Sequence, residues 1–476
     1  MFVRPLMSRV VLSLAAAGVA ASLHAGVGAQ TPARRPMTFL DMQQMRSVGS
    51  PAPSRDGQWL LYTVSTPDWK EAKSQSDIYL VSLKQGVPST KQMTFTRDKN
   101  ETSPRWLPQG GAFVFASNRE APSSASSQNQ LYLMRPDGGE ARRITDAKEG
   151  VSTFAFSGDG TWLAYRSGKS GEEQLYLLPV AAIDSATPDQ LTKQAGGVGA
   201  WEWAPDGTRI YFVGPDKGDA DEKARREKKF TVNIRNAETP LNSLWAVALD
   251  PRKTTQLTSD AAITVAEFSV SGDGKWIAFR GISADRYKRN VTEQNINSDP
   301  YLFDVSTGQI ERLMQNEEVG ESSVSFSPDS RWIALSAPDD LTGYSMKNER
   351  VYLRAVDAPN GAWRKLGGSF DGDVTVGFWS KDGGTIYFND GIKATNQFLA
   401  LDVRKDAVQQ VTREPASIAV RRDDDSGVLL VTFSDGTTPS TLYTVTSLDQ
   451  LGNRGSWIAL TDANPQVRNF ELGEQE

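Results

Sequence analysis

The chain has 476 residues, 38% of them hydrophobic and 23% charged, with 40 Gly, 24 Pro and a formal net charge of −6. That is a globular balance, neither disordered nor collagen-like, and long enough to bury a large core. It contains no Cys and one His, which excludes a disulfide framework, thiolate metal sites and a Cys nucleophile.

Arg4 and Arg9 precede a small-residue apolar stretch from Val10 to Leu23, and Val27-Gly28-Ala29 fits a small-x-small cleavage site. Residues 1–29 therefore read as a secretory signal peptide, with Gln30 as the mature start. A retained membrane anchor is the rival, but the stretch is short and Ala-rich for a span. His24 lies inside this segment, so cleavage leaves no histidine, and loss of its two arginines takes the charge from −6 to −8. An acidic, exported chain, periplasmic or secreted, is a poor nucleic-acid binder. No later segment is long and apolar enough to span a membrane. Residues 30–47 form an N-terminal segment, in which Thr38 caps a short helix with Phe39, Met42 and Met45 along one stripe.

From 48 to 461 the chain repeats. Asp56, Gln109, Asp159, Asp206, Asp273, Asp329, Asp382 and Asp425 each head the same pattern, at intervals of 43 to 67 residues. Four, five and six residues further on, every copy is apolar, as in Leu60-Leu61-Tyr62 and Ile210-Tyr211-Phe212. A strand apolar on both faces is covered on both sides, as when sheets stack face to face. The Asp-Gly turn suits a hairpin. A second aromatic strand follows, for example Ile78-Tyr79-Leu80 or Leu175-Tyr176-Leu177, and then an apolar-Thr pair such as Met93-Thr94 or Leu460-Thr461. With the strand leading into the turn, each unit has four strands. Four-stranded units of about 50 residues are the signature of propeller blades. The prediction is an all-β fold, a β-propeller of eight blades, or seven if the degenerate Asp425 unit is irregular.

The longest interval holds an insertion, Gly214 to Leu241, with a mixed-charge run from Asp219 to Lys229. Its mixed charges suit a short exposed helix or extended arm; a solvated loop is the default reading, and a projecting arm that touches a partner or frames an opening is the functional one.

Catalytic chemistry is thinly represented. There is no Gly-x-Ser-x-Gly: Gly168-Lys-Ser170-Gly171 closes one place early, and Gly320-Glu-Ser322 lacks a second glycine. No mature His is present to pair with a serine. Asp423-Asp424-Asp425 and Asp339-Asp340 match no calcium-loop spacing and read as solvated turn carboxylates. The recurring Asp of each unit reads as a turn residue, and the Trp and Tyr ladder as core packing. No catalytic, cofactor-binding or metal residue is assigned, and no cofactor is implied.

The repeat resembles the WD-like propeller of TolB-type proteins and of prolyl-oligopeptidase-family serine peptidases. Longer stretches point to the second: Thr38 to Arg46 with Val48 to Gly57, Ser103-Pro-Arg-Trp-Leu-Pro-Gln-Gly110 with Ala116-Ser-Asn-Arg119, and Asp285 to Asn295 ahead of Tyr301 to Gly308. These resemble the bacterial dipeptidyl- and acylaminoacyl-peptidase branch over about residues 36–476. The resemblance implies a propeller that screens peptide substrates for an α/β-hydrolase domain carrying Ser, Asp and His. That domain would begin near residues 462–476, read as a tail or linker toward it, so no triad residue transfers to this chain. The 476-residue chain is expected to be inactive alone, with the Thr38 helix docking on the hydrolase domain. A consecutive Glu pair that some dipeptidyl-peptidases use to hold a substrate amino terminus is not found; Glu202, in Trp201-Glu202-Trp203, reads as structural. The alternative is a stand-alone TolB-like periplasmic propeller that binds protein partners.

Overall fold

A computed structural model describes residues 34–121, 128–230, 241–259, 262–284, 298–314, 316, 319–341 and 347–473. The expected signal peptide with His24, and the stretch 285–295, lie outside these residues. The described chain folds into eight four-stranded antiparallel sheets, each built from four consecutive strands in sequence order. Blade 1 comprises Ser47–Pro53, Trp59–Asp68, Lys73–Ser82 and Gly86–Gln92, and blade 8 Ser417–Arg422, Leu429–Ser434, Thr441–Val445 and Ile458–Ala459. The Asp425 unit is thus a full blade, and the count is eight.

The apolar triplet explains the ring. In blade 1, Leu60 and Tyr62 pack toward blade 8 while Leu61 packs toward blade 2. In blade 4, Ile210 and Phe212 face blade 3 while Tyr211 faces blade 5. Alternation at period two sends successive side chains to opposite faces, so each second strand supplies two cores at once. Eight such clusters lie between successive blades, and the one joining Leu60, Val81 and Leu83 to Leu430, Leu442 and Leu460 closes the circle. Cross-strand aromatic pairs reinforce the blades: Tyr165 stacks on Tyr176 at 5.3 Å and Phe279 on Tyr301 at 5.1 Å.

The turns and closures are polar devices. In five blades a Ser two residues before the Asp donates its hydroxyl to that carboxylate and accepts the N–H of the first residue of the second strand. In blade 8 the turn is rearranged: Asp423 replaces the Ser, accepting from the amide and hydroxyl of Ser426, and the positive φ moves to Gly427. The closing Thr has a definite task as well. In six blades its Oγ1 accepts a backbone N–H of the third strand, as Thr145 does from Leu131 at 2.8 Å and Thr412 from Phe398 at 3.0 Å. Blade 5 has no need of it. Its corresponding third-strand residue is Pro300, which has no N–H, and Met314 stands where the Thr would be. Thr412→Val is expected to cost about 1–3 kcal/mol, because the Phe398 N–H stays buried without an acceptor; the midpoint of urea unfolding measures it.

No strand is shared between the first and last blades. Instead, Arg35–Pro36 pairs in parallel with Phe470–Glu471, and the amide side chain of Asn464 both donates to and accepts from the backbone of Arg46 at 2.8 Å. Between them, Pro465–Asn469 forms a short 3-10 helix that buries Val467. Arg35 lies over the Phe470 ring at 4.7 Å.

Candidate functional site

A meander of four antiparallel strands places its first hairpin turn at one end of the blade, and its second hairpin and the link to the next blade at the other. The first-hairpin turns touch from blade to blade. Gly160 lies against Pro108, Gly207 against Asp159, and Gly57 against Val428, while the Asp273 amide donates to Ser330 Oγ at 3.2 Å. They form a rim around one mouth of the central channel, and in five of them the Asp carboxylate is held by the preceding Ser. The Ser327 hydroxyl and the Arg331 guanidinium, for instance, hold the Asp329 carboxyl at about 2.

Inside this rim is a cavity of about 430 Å³, walled by the first strands and turns of blades 8, 1, 2 and 3. Arg55, Arg105 and Arg421 line it together with Asp423 and Asp425. Trp106 on the wall donates its indole N–H to Ala52 O at 2.9 Å. Trp203 and Trp379 likewise reach back to the preceding blade, so the aromatic ladder is structural as read. The three arginines were not foreseen. They come from positions 55, 105 and 421 and share no local pattern.

The opposite mouth carries a different surface. The helix Phe39–Gln43 is capped by Thr38 and Asp41 in a reciprocal box, with Asp41 also paired to Arg35 at 2.7 Å. Its Phe39, Leu40 and Met42 are exposed, and so are Trp69, Phe95 and Phe230 in the second-hairpin and inter-blade loops, all between 42% and 70%. Six of the eight large exposed apolar side chains among the described residues therefore sit on segments at this end. The insertion contributes a helix, Ala220–Glu227, capped by Asp219. It docks on the neighbouring blade 3, where Arg226 donates to Ser170 Oγ at 2.9 Å and Lys223 pairs with Glu172.

The other candidate residues are accounted for locally. Ser170 accepts from Arg226, and Ser322 Oγ accepts the Ser336 amide at 2.7 Å. Asp339 pairs with Lys365 at 2.6 Å and Asp340 with Lys347 at 3.0 Å. Among the described residues, no group of three carboxylates or imidazoles is placed to hold a metal ion. Glu202 is on the first strand of blade 4, on the side facing blade 5, where burial pushes its carboxyl up to about 7 against one hydrogen bond from Val270. A carboxyl whose folded value is raised contributes fully below its unfolded value of about 4.3 and loses that contribution as pH rises toward 7. Glu202→Gln is therefore expected to match the wild type at pH 4 and to exceed it by about 3–4 kcal/mol at pH 8. Urea unfolding at the two pH values tests this.

Fold and site together define the class: an eight-bladed β-propeller with a charged cavity at one mouth and an apolar, arm-bearing surface at the other. No family model matches the chain. Among curated proteins, dipeptidyl-peptidase 5 of Porphyromonas gingivalis is 25% identical over 448 residues, covering 92% of this chain and 58% of that protein. The uncharacterized peptidase YuxL of Bacillus subtilis is 26% identical over 319 residues, 67% of this chain and 33% of that protein. The crystal structure of P. gingivalis dipeptidyl peptidase 4 superposes with a TM-score of 0.58 at 11% identity, over 92% of this chain and 63% of that one. At that identity the likeness concerns the fold. The chain is a propeller whose sequence relatives are these peptidases, as its resemblance to prolyl-oligopeptidase-family propellers implied, and it spans only part of their length. No helix among the described residues is long and apolar enough to cross a membrane.

Proposed function

We propose that this chain is the substrate-gating propeller of an exported serine peptidase acting on oligopeptides, with catalysis supplied by an α/β-hydrolase domain outside these 476 residues. The observation that carries this reading is the similarity to dipeptidyl-peptidase 5 along 92% of the chain, through every blade. Two local features support it. The 476 residues contain no Gly-x-Ser-x-Gly, and the exposed apolar side chains at the loop-side mouth suit a covering domain. The helix Phe39–Gln43, the residue 462–473 segment and the insertion helix all belong to that end.

Reading the gene beyond codon 476 tests the proposal most directly. An open frame encoding Gly-x-Ser-x-Gly, then Asp, then His is the expected result; a stop codon followed by an unrelated gene would overturn it. The purified 476-residue chain should not release dipeptides from chromogenic substrates, whereas the product of the longer frame should. In that longer protein, Phe39→Asp with Met42→Asp is expected to loosen the two domains, seen as a second thermal transition. The secretory segment 1–29 is checked by N-terminal sequencing of the mature protein, with Gln30 expected.

A further inference from the structure

The cavity at the turn-side mouth combines features that general scaffolding does not require. Three arginines from three blades line it, in a chain whose net charge is negative. None of Arg55, Arg105 and Arg421 forms an ion pair among the described residues, although two aspartates line the same space. Arg421 only donates to Pro51 O at 3.2 Å, and Arg105 lies over the Phe154 ring at 5.8 Å. Asp423, meanwhile, is occupied by Ser426.

The wall itself is shaped with care. Blades 1 and 2 each break the pairing of their first strand at a Ser-Pro step, with Ser50 at φ 46° and Ser103 at φ 52°. A left-handed backbone at a residue with a side chain costs about 1 kcal/mol or more, and bulges of this kind re-aim the side chains beside them. Pro51 and Pro104 also remove backbone N–H groups from a wall that has no strand partner on the channel side. The charged donors to a guest are the guanidinium groups, whose planar forks match carboxylates. A volume of about 430 Å³ admits the end of a short peptide, not a folded chain.

We propose that this cavity is a carboxylate-binding site that takes the acid-bearing end of a short peptide through Arg55, Arg105 and Arg421. The inference deepens the peptide reading above by naming a preferred substrate class, but the binding it describes needs no catalytic domain. Tetra-alanine with a free C-terminal carboxylate, its C-terminal amide, and an amidated Ala-Ala-Asp-Ala are titrated into the 476-residue chain by calorimetry. The free acid is expected to bind at least tenfold more tightly than the tetra-alanine amide, with an affinity that falls as salt rises. The Asp-containing amide separates a terminal carboxylate from a side-chain one as the preferred source. Arg105→Gln with Arg421→Gln should abolish the preference, and Arg105→Lys with Arg421→Lys should retain part of it. If the double variant does not melt like the parent, Arg55→Gln alone carries the test. Equal affinity for acid and amide, an unchanged preference in a well-folded variant, or equal displacement by inorganic phosphate would overturn the proposal. Failure of dipeptide release by the longer protein would count against the peptidase reading only, because the binding preference is measured without turnover.

Discussion

A chain ending at Thr461 is expected to be less stable than the full chain by about 5 kcal/mol, the largest loss predicted for any change in the molecule. Residues 462–473 fold back on the ring: Val467 and Phe470 are 4% and 5% exposed, and Asn464 satisfies both backbone groups of Arg46. Burying each apolar side chain contributes about 2 kcal/mol, and the paired amide contacts contribute about 1 kcal/mol more. The location magnifies the effect. Blades 8 and 1 share no strand, so their joint rests on side-chain packing, on the Arg421–Pro51 hydrogen bond and on the parallel contact of Arg35–Pro36 with Phe470–Glu471. Phe470→Ala alone should cost about 3 kcal/mol through the cavity it leaves. Calorimetric melting compares the three chains. Identical melts would mean that the packing of Leu60, Leu430 and Leu460 closes the ring unaided.

The second large effect is expected at the joint between blades 5 and 6. Arg354, on the third strand of blade 6, grips Glu311 on the outer strand of blade 5 through both guanidinium nitrogens, at 2.6 and 2.9 Å. The Arg354 side chain is 2% exposed and stacks over Trp363 at 5.1 Å. Glu311→Ala leaves that cation buried without its carboxylate, and the expected cost is about 3–5 kcal/mol. Adding Arg354→Met should restore much of the loss, because an apolar side chain there has no charge to compensate. Burial pushes the Glu311 carboxyl up, but Arg354 and the Asn360 amide outweigh it and hold the group below its usual value. Its contribution is thus fully present above about pH 4.3, the unfolded value, and is lost as pH falls through the folded value. The gap between wild type and Glu311→Gln in urea midpoint should narrow on acidification and stay constant from pH 6 to 8. A gap that widens in acid would contradict the assignment.

Much of the blade was legible because its determinants are local. The triplet Leu60-Leu61-Tyr62 announces a strand covered on both faces, and Asp56-Gly57 announces the hairpin before it. The apolar-Thr pair was visible as a recurrence, but not its task, since the N–H that Thr412 accepts lies 14 residues earlier. The charged insertion showed its helix-forming composition; its docking on Ser170 and Glu172 did not show, because those residues belong to another blade. The helix after Thr38 ends at Gln43, so it carries the exposed Phe39 and Met42 of the stripe but not Met45.

Taken by itself, the sequence determined the repeating unit, the two-sided cores and the lack of a nucleophile elbow within these residues. Each of these depends on residues within about 50 positions of one another. It left the count at eight or seven blades until the structure showed the Asp425 unit to be a full blade. Only the tertiary structure decided how the circle closes and what stands at its mouths. Closure depends on the rotation between blades accumulating to a full turn, which no local periodicity specifies. It then brings Arg35 against Phe470, Arg46 against Asn464, and Arg421 beside Arg55 and Arg105. A single cysteine-free chain with one histidine thereby acquires an arginine-lined cavity from residues as far apart in sequence as 55 and 421.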